Sequence, residues 1–315
     1  MTARQNIGFI GLGNMGAPMA CRLAEGGFRV LGRDIRAETA AALAEAEAGI
    51  EAAAGLDDIG RACGIVITML PDAAAVRQVV LGEPGQARPA RGLARSLAGS
   101  LARGSVVVDM SSSAPGATVA LGAALKDLGI DLVDAPVSGG VPRARDGSLT
   151  IMAGGPAERI DSLAPVFACL GRVQRTGALG SGHAMKVLNN YVSAAGLLAV
   201  CEALIIARRF GLDPKVANDV LKSSTGRNNT TDRKVEPFLL SRSFDSGFAL
   251  ALLRKDVGLA RDLTAGLELD APWLRACEGL LEEAARALGG AADHTEAFVF
   301  LERRLAGEAG EEEPS

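Results

Sequence analysis

One lysine stands at the head of the most apolar stretch of the chain. In GSGHAMKVLNN (180–190), Lys186 precedes VSAAGLLAVCEALIIA (192–207), and Asn190 follows four residues later. On a helix that spacing puts both side chains on one face. A lysine among apolar neighbours has its charged form disfavoured and can exchange protons near neutrality. Asn190 would then orient the amine or a substrate oxygen. A lysine that snorkels to solvent from a helix start is the competing interpretation. Ser138-Gly139-Gly140 sets a hydroxyl beside open backbone N–H groups, a concavity suited to a carboxylate, or else a flexible turn. Gly11, Gly13 and Gly16 form G-L-G-N-M-G after an apolar run (6–11). That context of strand, tight turn and helix fits a pyrophosphate resting on a helix N-terminus.

Elements must hold these groups in place. Strand candidates run over 6–11, 29–34, 64–70, 104–110, 130–137 and 148–155, each short and rich in Val or Ile as buried parallel strands are. Ala/Leu/Glu/Arg segments at 14–26, 36–48, 72–81, 114–128 and 156–170 alternate with them, a rhythm that predicts an α/β fold with a doubly wound parallel sheet. In such sheets ligands bind beyond the strand C-termini, which selects the loops Met69-Leu70-Pro71, Asp109-Met110-Ser111-Ser112-Ser113 and Pro136-Val137-Ser138-Gly139-Gly140. Asp34 ends the second strand at the acidic position expected for a ribose contact. Its carboxylate favours NAD, whereas Arg33 and Arg36 beside it would welcome the extra phosphate of NADP.

Beyond about residue 177 the pattern becomes helical. One long helix is expected from Ser181 to Gly211, then segments at 213–222, 231–241, 249–267, 271–288 and 293–305. The domains read as 1–177 dinucleotide-binding, 178–305 all-helical and 306–315 an acidic, disordered tail. The stretch 82–96 reads as a surface excursion. The long helix is apolar nearly all round, so it should be buried, in part against another subunit; a homodimer or homotetramer is expected.

Composition narrows the class. A net charge of −4 over 315 residues and 3% aromatics argue against nucleic-acid or anionic-membrane partners. The 5 cysteines form no C-x-x-C pair, so free thiols in a reducing, cytoplasmic setting are expected. With 2 histidines no multi-histidine metal site can form, and none of another kind is expected. Glu202 interrupts the longest apolar stretch, so no membrane span is expected. The N-terminus reads as a first strand and not as a signal peptide.

IGFIGLGNMGAPMA (7–20), DAPVSGGVPRARDGSLTIMAGG (134–155), GSGHAMKVLNN (180–190) and RKDVGLA (254–260), in this order, resemble the β-hydroxyacid dehydrogenases, a group that includes 3-hydroxyisobutyrate dehydrogenase, tartronate semialdehyde reductase and L-threonate dehydrogenase. The likeness spans about Asn6 to Leu305. It implies an N-terminal Rossmann-type sheet followed by an all-α C-terminal domain, and NAD as cofactor with NADP as the alternative. It implies that Lys186 is the catalytic acid–base and Asn190 its support. Ser138 and Gly139, with Gly140, would hold the carboxylate of a small substrate. Phe248 would wall the substrate pocket, and Lys255 and Asp256 would reach over the active site. Gly11, Gly13, Asn14, Met15, Gly16, Asp34, Leu70, Pro71 and Ser112 would line the cofactor, Ser112 replacing the family's threonine. His183 is a common filler and is given no catalytic role. The reaction implied is hydride exchange between NAD and a 3-hydroxy acid, with 3-hydroxyisobutyrate preferred and tartronate semialdehyde or threonate next. An imine reductase or a catalytically silent NAD-binding scaffold would lack the lysine. Arg227, Asn228 and Asn229 are polar enough to meet a hydroxylated substrate, or are loop and cap residues.

Overall fold

The computed structural model describes residues 5–82 and 96–307. Most of the 82–96 excursion, and the acidic tail beyond Gly307, lie outside the described residues. The chain forms two compact units, Met1–Lys186 and Val187–Ser315.

In the first unit β1 (Asn6–Ile10), β2 (Arg29–Arg33), β3 (Ile50–Ala52), β4 (Ile65–Thr68), β5 (Val106–Asp109) and β6 (Asp131–Asp134) pair in parallel, in the order β3-β2-β1-β4-β5-β6. All residues of β4 and β5 are buried, because helices cover both faces of the sheet. Ile7, Phe9, Ile67 and Val108 pack towards α1 (Gly16–Glu25), while Ile10, Val66 and Val107 pack in the opposite cluster. The order reverses between β1 and β4, which opens a crevice at the strand C-termini.

Past β6 the sheet departs from the expected parallel pattern. β7 (Val137–Ser138) continues β6 in one register against β8 (Leu149–Gly154), and that pairing is antiparallel. The physical reason is the connection: α6 (Gly140–Asp146) turns the chain back locally, with no crossover to carry it to the other end of the sheet. α7 (Ala157–Ser162) and α8 (Ala164–Leu170) then make such a crossover, and β9 (Gly171–Gly177) lies parallel to β8.

The second unit is helical among its described residues. α9 (Ser181–Phe210) is the long helix shared with the first unit. α10 (Pro214–Ser223), α11 (Asn229–Arg233), a π turn (Val235–Leu240), α12 (Leu250–Gly266), α13 (Pro272–Leu288) and α14 (Ala297–Ala306) follow. Leu197, Cys201 and Leu204 of α9 share a core with Leu253 and Val257 of α12, Leu281 of α13 and Leu301 of α14. By length and composition α9 could cross a membrane, with a mean hydropathy of 1.7, which corrects the expectation that Glu202 disqualifies it. Half of that window is buried inside the protein.

Candidate active site

The glycine-rich turn is built by close approach. A Cβ on Gly16 would stand 1.8 Å from the Gly11 carbonyl oxygen, so only glycine lets α1 start this near to β1. The Gly13 Cβ direction meets no atom within 4 Å, and Gly13 and Asn14 are exposed. Met15 precedes α1 with no side-chain cap, and the first turn carries no acid. A phosphate fits this arrangement of open N–H groups. Asp34 ties the end of β2 to the same turn: its carboxylate accepts from Leu12 N at 2.8 Å and from Arg36 N at 3.0 Å. Arg33 is directed to the carbonyls of Ala53 and Ala54, while Arg36 stays exposed. Leu70 N donates to Ser111 Oγ at 2.9 Å, which joins two of the crevice loops; Pro71 is exposed and Ser112 half-buried.

Further along the same sheet edge, Gly139 has φ +137, a conformation open to glycine and strained for other residues. Ser138 is half-buried, and Gly139 and Gly140 are exposed. Lys186 Nζ donates to Val137 O at 2.8 Å, beside Ser138. Lysine and serine-glycine-glycine loop, far apart in sequence, therefore meet within one compact unit.

What places the lysine is a buried polar network that sequence reasoning missed. Asp134, fully buried, accepts from Gly180 N and His183 N, both at 2.8 Å, and so caps the start of α9. His183, also fully buried, donates from Nε2 to Ser111 O at 3.1 Å, and its Nδ1 meets Thr118 Oγ1 at 2.8 Å. Asp109 accepts from Thr68 Oγ1, Ser111 N and Ser113 Oγ at 2.9–3.0 Å. One signal was present: Asp109 and Asp134 each end an apolar strand, and in the sheet they are register partners. Buried carboxylates persist only when bonded this fully. His183 is thus an anchor one turn before Lys186.

In the helical unit Asn190 Nδ2 donates to Asp256 Oδ2 at 2.6 Å, and Asn190 Oδ1 accepts from Asn189. Asp256 is 2% exposed, and Lys255 Nζ lies 3.7 Å from its Oδ1. Asp256 therefore fixes the Asn190 amide. Phe248 O accepts from His294 N at 2.9 Å, and the Phe248 ring meets the His294 ring edge-on. Asn228 caps α11 through the Thr230 and Thr231 N–H groups, and Arg227 pairs with Asp232, so these two serve the helix start. Among the described residues no cluster of His, Cys, Asp and Glu could hold a metal ion.

Two family models match in succession. Residues 6–180 match the NAD binding domain of 6-phosphogluconate dehydrogenase, and residues 180–301 match the NAD-binding region of NADP-dependent 3-hydroxyisobutyrate dehydrogenase. The chain belongs to the β-hydroxyacid dehydrogenase family. It is an NAD(P)-dependent oxidoreductase of that family. Among its relatives is the 2-(hydroxymethyl)glutarate dehydrogenase of Eubacterium barkeri, 34% identical over 96% of each chain. The 2-hydroxy-3-oxopropionate reductase of Escherichia coli is 33% identical over 94% of this chain and 97% of that one. The solved 3-hydroxyisobutyrate dehydrogenase of Mycobacterium tuberculosis with L-serine superposes with a TM-score of 0.83 at 28% identity, covering 95% of this chain and 99% of that one. The open Gly13 turn is consistent with the cofactor that the family binds.

Proposed function

We propose that this β-hydroxyacid dehydrogenase interconverts a small 3-hydroxy acid and its semialdehyde, with Lys186 as acid–base. The observation that carries the reading is the Lys186 Nζ contact with Val137 O, which sets an amine beside the Ser138-Gly139-Gly140 loop. The Ser138 hydroxyl and the following amides bind the carboxylate and fix the 3-hydroxyl relative to the lysine, which removes orientational freedom from the reaction. In oxidation the Lys186 amine takes the hydroxyl proton; in reduction the ammonium returns it and steadies the charge that grows on oxygen. Bound NAD supplies the two-electron acceptor. Asp256 holds Asn190, four residues beyond Lys186 on the same helix, in one orientation. The carry-over of roles to Phe248 and Lys255 belongs to the same proposal.

3-Hydroxyisobutyrate or a close analogue is the preferred substrate, followed by tartronate semialdehyde and L-threonate. The engagement of Arg227 and Asn228 with α11 removes one argument for a heavily hydroxylated substituent. Asp34, set into the glycine turn, supports NAD over NADP. The free thiols of all five cysteines favour a reducing compartment such as the cytoplasm.

The test is the change in NADH absorbance across 3-hydroxyisobutyrate, L-serine, L-threonate, 2-(hydroxymethyl)glutarate and tartronate semialdehyde, each with both cofactors. Lys186→Ala should lower kcat by about 10²–10⁴-fold while NADH binding persists. A loss under about tenfold would place the acid–base elsewhere.

A further inference from the structure

A second lysine is bonded to a histidine inside the helical unit. Lys234, between α11 and the π turn, places Nζ 2.8 Å from His294 Nε2. His294 is 3% exposed. Lysine offers only donors in its charged form, so Nε2 must accept, and the ring proton sits on Nδ1. Nδ1 faces acceptors that suit it: Phe248 O at 3.0 Å and Ser246 Oγ at 3.1 Å. Asp293 and His294 contact Phe248 through its backbone and its ring. Its N–H donates to Asp293 Oδ2 at 3.2 Å, its carbonyl accepts from His294 N at 2.9 Å, and its ring lies 5.5 Å from the His294 ring at 72°. Within this clamp Lys234 is the member that bonds Nε2 and so fixes the histidine's tautomer.

We propose that Lys234 is a positioning residue for substrate, which locks His294 as its Nδ1–H tautomer and so sets the carbonyl and ring of Phe248. The proposal rests on the substrate role given to Phe248 above. The charged and titratable groups around the pair are Asp293, beside the His294 ring, and the Cys201 thiol from α9, close to Lys234. Burial pushes the His294 pKa down, Asp293 opposes the shift and the Lys234 charge adds to it; the net direction is downward, so the imidazole is neutral at neutral pH. A protonated His294 would set two cations against each other and open the clamp.

The experiment uses the full chain and the acid turned over fastest in the panel above. Nitrogen-15 imidazole spectra are simple here, because the chain has 2 histidines and H294N assigns the second. In the wild type His294 should appear as one neutral Nδ1–H tautomer at neutral pH. In K234M it should become a tautomer mixture. KM should rise about five- to twentyfold with kcat within about twofold, and K234R should restore both readouts. A wild-type His294 with its proton on Nε2 overturns the proposal, even if K234M fails to fold. An unchanged KM in K234M, when F248A raises it, overturns the link from Lys234 to Phe248. An unchanged KM in both variants overturns the substrate role of Phe248 and the proposal with it.

Discussion

At the residue scale, reactivity and placement are separate problems, and the chain solves them with different side chains. Lys186 carries the proposed chemistry, yet its position is set by Asp134, which binds two N–H groups at the start of α9. Asp134→Asn keeps the shape but turns one acceptor into a donor that faces a backbone N–H. The buried mismatch should cost about 1–3 kcal/mol in denaturant unfolding. It should also lower kcat more than it raises KM, because the lysine shifts relative to the Ser138 loop. A variant that is destabilised but retains full kcat would show that the network only holds the fold. Lys186 and Ser138 were legible in the sequence because their motifs are local. Asp134 and His183 were not, because their partners lie 46–72 residues away and exist only once the strands are in register.

At the element scale, legibility follows burial. β1, β4 and β5 announce themselves as apolar runs, and α9 as a long apolar helix from Ser181. β3 has three residues, too few for a periodic signal. β9, GRVQRTG, is partly exposed at the sheet edge and carries arginines where a buried strand would carry Val or Ile. The expectation for α9 is burial in part against another subunit, and part of its apolar surface is uncovered within the chain. Val192 (66% exposed), Ile206 (62%) and Phe210 (81%) remain open, as do Val216 and Val220 on α10. Apolar helix faces of this kind are associated with subunit contacts, which supports the proposal of a homodimer or homotetramer. Sedimentation velocity should give an assembly, and Phe210→Glu should shift it towards monomer. A wild-type monomer at micromolar concentration would refute it.

At the scale of the whole molecule, a buried lysine makes stability depend on pH in a calculable direction. Burial pushes Lys234 down from its ordinary 10.5 to about 8, with the Cys201 and Asp293 charges opposing the shift. Below pH 8 the folded chain holds the ammonium against its desolvation and carries the full penalty. Between pH 8 and 10.5 the folded protein has released this proton while the unfolded chain still binds it, so stability rises with pH across that window. The slope is about 1.4 kcal/mol per pH unit, and the total is about 3 kcal/mol at most. Other groups titrate there too, so the informative quantity is the wild-type stability minus that of Lys234→Met. His294 is uncharged in both folded and unfolded chains above pH 8, so the lost Lys234–His294 bond adds only a constant offset. Asp293 acts at the other extreme: burial opposes it, but hydrogen bonds from His294, Thr295 and Ser246 hold it well below the usual carboxylate range. Its contribution is complete above about pH 4 and is lost as acid protonates it. Urea unfolding read by the fluorescence of the single tryptophan, Trp273 on α13, reports on the helical unit directly. The wild-type curve should climb relative to the variant from pH 8 upward. A flat difference would mean that the Lys234 amine is hydrated, and the bond to His294 would then no longer explain how Phe248 is held.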